Sequence, residues 1–187
     1  MLYTQDSEDN VANLTDRMIR AAKLDIHLYE EVEADKQALG QAMTVVILSS
    51  VAAGVAAISS VGVVGLFWGT FAALVGWFIW AFLTYFIGTR ILSEPQTRSN
   101  VGELLRTTGF SSSPGVLRVL GVVPGLGSLV FFVAAVWMLV AMVIAVRQAL
   151  DYKSTARAVG VCVLGWIVLV VVNLLLFGIL GGSELPA

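Results

Sequence analysis

The sequence predicts an all-α, polytopic membrane helix bundle. It has five transmembrane helices, a short third helix bounded by proline and glycine, and an N-terminal amphipathic helix on the cytoplasmic side. Three observations carry this. Of 187 residues, 58% are hydrophobic and 13% are charged, whereas soluble chains carry about 25% charge. A soluble globule of this size could not hide so much apolar surface from water. Long uncharged stretches then alternate with short charged ones: 53 positions between Lys36 and Arg90, 28 between Arg118 and Arg147, and 26 between Arg157 and Glu184. Finally, the eleven Lys and Arg residues fall into four groups, and the turns between the groups carry none.

The first uncharged stretch is too long for one passage. As a single helix it would run about 80 Å, against about 30 Å of hydrocarbon. It therefore crosses twice, as Ala42–Val61 and Leu66–Thr89, with the turn at Gly62-Val63-Val64-Gly65. The later stretches give one span each, Leu126–Val146 and Ala158–Gly181. The positive-inside rule places all four basic groups on the cytoplasmic side. That requires one more crossing between Arg106 and Leu126, so five in all, with the N-terminus inside and the C-terminus outside.

This third crossing is irregular. Ser113 reads as an N-cap, Pro114 as the first helical residue, and Pro124 with Gly125 and Gly127 as the stop. Eleven residues make only about 17 Å of α-helix, so residues before Ser113, around Leu104–Gly109, must contribute. Arg118 then either snorkels to the inner interface or lines a polar crevice.

Residues 1–38 form a separate cytoplasmic segment, 39–182 the membrane domain, and 183–187 an extracytoplasmic tail. Residues 1–37 hold nine of the thirteen acids, and no basic leader precedes an apolar run, so no cleaved signal peptide is expected. Val11, Leu14, Met18, Ala22, Ile26 and Tyr29 recur at helical spacing. They mark an amphipathic helix that lies on the leaflet or packs against the ends of the spans.

Gly65, Gly69, Ala72 and Gly76 share one face of span two, opposite Phe67, Phe71, Phe78, Phe82 and Tyr85. Small residues let helix backbones approach closely, so this face is expected to pack on another helix, within the chain or across a homodimer seam. Gly178 and Gly182 form a weaker copy in span five. Asn173 is the one amide inside a clear span. With Arg118 it could form a polar pocket, although an amide in a span is more often a structural link between helices.

Chemistry is otherwise sparse. One histidine, His27, beside Glu30 and Glu31 reads as a solvated face, so no metal is expected. Cys162 has no partner, and Ser111–Ser113 have no neighbouring base. No catalytic pair and no cofactor site is visible, and a net charge of −2 offers no basic field for nucleic acid.

The second half resembles the Yip1 family of integral membrane proteins. The resemblance rests on Gly109-Phe110-Ser111-Ser112-Ser113-Pro114, Val122-Val123-Pro124-Gly125-Leu126-Gly127, Val136-Trp137-Met138-Leu139-Val140, Val146-Arg147-Gln148-Ala149-Leu150 and Ser154-Thr155-Ala156-Arg157-Ala158, in that order. Met18-Ile19-Arg20 and Tyr29-Glu30-Glu31-Val32 look like short prokaryotic members. The resemblance implies five helices and a cytoplasmic N-terminus. Eukaryotic relatives act in vesicle trafficking, bind Rab-type GTPases and associate with one another. This chain lacks their long N-terminal region, so a small GTPase partner is not carried over to it.

The expected function is that of a non-enzymatic membrane protein. It organises other membrane proteins, or further copies of itself, through helix–helix contacts in the lipid bilayer of the cell's inner or plasma membrane. The alternative is a small transporter or channel with its site at the irregular third helix.

Overall fold

The computed structural model describes residues 13–180, with side chains as far as Leu175. Two short helices, α1 (13–22) and α2 (Ile26–Ala34), precede α3 (Ala38–Ala56) and α4 (Ile58–Phe86), which runs on into a π-helical turn, Ile87–Ile91. Then come α5 (Val101–Phe110), a 3-10 segment (Ser113–Val122), α6 (Gly127–Ala149) and α7 (Thr155–Leu180). Among the described residues, four stretches are long and apolar enough to cross a membrane: α3, α4 with its π turn, α6, and α7 to Leu175. The expected tail and residues 1–12, including Val11, lie outside the described residues.

The third predicted helix is two pieces. Asn100 caps α5 through a capping box with Glu103, each side chain bonding the other's backbone N–H. After Phe110 the chain tightens into the 3-10 form around Pro114. A 3-10 helix rises about 2.0 Å per residue, so α5 and the 3-10 segment together cover about 35 Å. Their course follows α3. A methyl group at Gly109 would lie 2.7 Å from Ala42 Cβ, one at Gly115 would strike Ser49 Oγ, and one at Gly121 would lie 3.2 Å from Ala56 Cβ. The order Ala42, Ser49, Ala56 shows that the two run parallel, backbone against backbone.

It follows that the two turns flanking this passage emerge at opposite ends of the bundle. Gly125, whose φ of +83° needs glycine, follows Gly121 beside the end of α3. Arg98 precedes the start of α5, where Arg106 donates to the carbonyls of Val32 and Glu33.

Several expectations are corrected. The first hairpin begins earlier than expected: the chain bends at Ala57, whose N–H bonds back to Ala53, makes one helical turn, and completes its reversal at Gly62, where φ is +64°, so that Gly54 faces Leu66. The N-terminal amphipathic stretch is two helices, because Leu24 adopts φ of +62° and Asp25 accepts the His27 N–H to start α2. Ser113 is not an N-cap. Its hydroxyl donates to the Phe110 carbonyl, and the hydroxyl of Ser111 donates to Thr108, so both serines back-bond to the preceding turn. Pro114 and Pro124 do bracket the 3-10 segment.

The N-terminal helices belong to the bundle. Ala21, Leu28, Tyr29 and Val32 are fully buried, and Leu14 and Met18 pack against them. Trp137, about midway along α6, donates its indole N–H to the carbonyl of Ala22 at 2.7 Å. Gln148, near the end of α6, donates to Glu30. So α1 and α2 lie along the second half of α6.

Candidate functional site

The 3-10 segment places one cation inside the bundle. With three residues per turn, Gly115, Arg118 and Gly121 fall on one edge, the edge that meets α3. Arg118 is half-buried there. Its Nε donates to the Gly115 carbonyl at 3.0 Å, and its Nη2 donates to the Ser49 carbonyl at 3.0 Å and hydroxyl at 2.6 Å. Ser49 is buried near the middle of α3. Arg118 therefore does not snorkel to the end of the bundle. It reaches across to α3 and lines a groove of about 380 Å³ whose walls include Ala53, Gly54, Gly65, Gly69, Ala73 and Phe131. Among the described residues, no carboxylate lies within ion-pair distance of it.

Asn173 is not part of this site. Its amide is exposed and donates to the Leu169 carbonyl one turn back, at 2.8 Å, beside a separate hollow lined by Trp166 and Leu174. An amide that satisfies itself on its own helix links nothing across the bundle. The expected Arg118–Asn173 pocket is absent, as is an interhelical bond from Asn173 to any described residue.

Much of the glycine face of α4 is left uncovered within the chain. The buried side of α4 is set by Trp77, Ala81 and Thr84. Trp77 donates its indole N–H to the Leu105 carbonyl and the Thr108 hydroxyl of α5. At about 100° per residue the small-residue face lies to one side of this line and the Phe face to the other. Both are open: Gly69, Ala72 and Gly76 are exposed, and a methyl group at Gly69 or Gly76 would meet nothing within 4 Å. A methyl group at Gly65 would first strike the Val61 side chain of its own helix, next to the Gly62 break. Gly178 lies near the end of α7, and Gly182 lies outside the described residues.

A second polar cluster, which the sequence analysis missed, locks the other end. Arg17 is 7% exposed and donates to Glu31 at 2.9 Å, Asp35 at 3.0 Å and Gln41 at 2.8 Å, joining α1, α2 and α3. Arg20 adds Asp25 and Glu31. Partial burial pushes the Glu31 and Asp35 carboxyls up, but the bonds they accept outweigh it, and both stay below the usual range. Glu33 goes the other way. Burial first, then Asp151 and Glu103 nearby, push its pKa up to about 7 against the pull of Arg106. The available signal was three basic residues at 17–23 followed by a run of acids at 25–35. At the start of α7, Arg157 donates to the Ser93 carbonyl and Tyr152 donates to the carbonyls of Gly88 and Leu92. Burial pushes the Tyr152 phenol up to about 12.

Four long apolar helices, an irregular segment held between them, and charges gathered at the chain's short turns make this a multi-pass helical membrane protein. The Yip1 domain model matches residues 28–176, well over half of the chain. The chain belongs to the Yip1 family. No curated protein and no solved structure shows a significant match to it.

Proposed function

We propose that this Yip1-family protein is a non-enzymatic scaffold that crosses the membrane five times and gathers membrane partners, first of all further copies of itself, through helix–helix contacts. The third crossing is α5 with the 3-10 segment. Its combined length of about 35 Å matches the hydrocarbon core; α5 packs against α3, α4 and α6, and the irregular 3-10 segment lies against α3 and α6, as irregular backbone at membrane depth requires. On this reading the ends bearing Arg98, Arg147 and Arg157 are cytoplasmic, and the α3–α4 turn and Gly125 are outside.

The observation that carries the scaffold reading is the open small-residue face of α4. Ala72 and Gly76 are four residues apart, exposed, and unmatched within the chain. In lipid, such pairs promote helix association by close packing. Gly76→Leu fills that face without a clash in the monomer. It is expected to shift the protein from dimer or higher oligomer to monomer in mild detergent, read by light scattering. An unchanged mass distribution would remove the support. The competing reading, a transporter or channel built around Arg118 and Asn173, loses half of its proposed site.

A further inference from the structure

We infer that the Arg118 groove binds the carboxylate of an aliphatic monocarboxylic acid that enters from the end of the bundle holding the α3–α4 turn. Nε and Nη2 of Arg118 are spent on Gly115 and Ser49, which fixes the guanidinium, while Nη1 bonds to no other described residue. A fixed guanidinium with both Nη1 N–H groups unspent, no carboxylate among the described residues within ion-pair distance and a low-dielectric surround attracts an anion strongly. The groove lies on the same side as this cation, with Gly65 and Gly69 of α4 on one wall and Ala53 and Gly54 of α3 on the other.

The rest of the lining sets the ligand class. Besides Arg118, the one polar side chain in the groove is Ser50, and its hydroxyl proton is committed to the Val46 carbonyl at 2.6 Å. Arg118 is thus the sole side-chain donor. A phosphate brings a larger charge and three strong acceptor oxygens, which one guanidinium edge would leave largely unsatisfied. A carboxylate brings one charge, and a short alkyl body suits walls made of alanine, glycine and Phe131. About 380 Å³ accommodates a small molecule, below the span of a whole phospholipid. The opening follows from position: the lining runs from Ser50 to Ala57 along α3, and Ala57 is where the α3–α4 turn begins.

The test uses the full chain in phosphatidylcholine nanodiscs with hexanoate labelled at its carboxyl carbon. Saturable broadening of that resonance is expected, with hexan-1-ol and inorganic phosphate at least tenfold weaker as competitors. Arg118→Gln is expected to weaken binding at least tenfold. Because that change also cuts the tie to Ser49, Gly69→Leu serves as a second variant. It puts bulk into the groove at a position where an added Cβ meets nothing within 4 Å, and it should weaken binding as much while leaving thermal unfolding within a few degrees of the parent. Binding that persists within twofold in both variants would overturn the assignment. So would equal competition by hexan-1-ol or by phosphate, and so would loss of hexanoate binding in phosphatidylglycerol discs, which would hand the groove to a lipid headgroup.

Discussion

The two ends of this bundle are built on different principles. At the end where α1 and α2 dock, side chains are locked: Arg17, Arg106, Trp77 and Tyr152 each donate to a backbone or side-chain acceptor on another element. Tyr29, Phe110, Leu104 and Leu150 are fully buried there. At the other end, the first half of α4 stands with Val63, Val64, Phe67, Trp68 and Phe71 exposed, and the most apolar window of that helix has no buried residue. The difference separates two sources of stability in a membrane protein. Polar ties and close packing fix the first end independently of its surroundings. The second end depends on lipid, or on another helix, to cover faces the chain itself leaves open.

The contrast can be broken at the locked end first. Arg17→Ala should cost about 3 kcal/mol, since it leaves Glu31 and Asp35 partly buried without their shared cation. Thermal unfolding in mild detergent would measure it, and a loss below about 0.5 kcal/mol would show the cluster to be surface decoration. Gly109→Ala comes next, at about 2 kcal/mol. Its new methyl would press on the Ala42 backbone carbonyl at 3.1 Å and on Trp77, and neither can withdraw. The same change at Gly69, in the open first half of α4, should be neutral or stabilise by up to about 1 kcal/mol in the monomer, because it gains helix propensity in open space. Equal effects at the two glycines would erase the distinction between the ends.

The smallest effect is pH-dependent. Glu33 has a folded pKa of about 7, above its unfolded value near 4.5. The folded state therefore holds the extra proton, and this group's contribution is most favourable below about pH 4.5 and is lost as pH rises through about 7. Glu33→Gln should flatten that decline and raise stability at pH 8 by about 1 kcal/mol, after allowing for solvent screening of a half-exposed group. A mutant whose melting temperature follows pH as the parent does would contradict the placement of Glu33 against Asp151 and Glu103.

Much of the fold could be read from charge spacing, because uncharged runs map directly to apolar helices. The Pro114 and Pro124 boundaries were equally readable, since proline acts locally. The glycine signal for the first hairpin was readable, since Gly62 carries its positive φ, whereas the bend at Ala57 that opens the turn has no glycine or proline to announce it. The 3-10 form left one overlooked trace. Gly109, Gly115 and Gly121 recur every six residues, and for the last two that is two turns of a threefold helix carrying Arg118 midway. What could not be read was long-range partnership. Nothing local to Trp137 points to Ala22, and nothing local to Arg106 points to Val32 and Glu33. The separation of Arg118 from Asn173 likewise depends on which way α7 faces, which an almost uniformly apolar helix does not encode.

The central claim is that α5 and the 3-10 segment carry the chain from one side of the membrane to the other. Single cysteines at Arg98 and Leu126, introduced in a Cys162→Ala background, test it most directly with a membrane-impermeant maleimide on sealed vesicles of known orientation. The five-crossing account predicts that position 98 labels only from the cytoplasmic side and position 126 only from the opposite side. Labelling of both from the same side would contradict it.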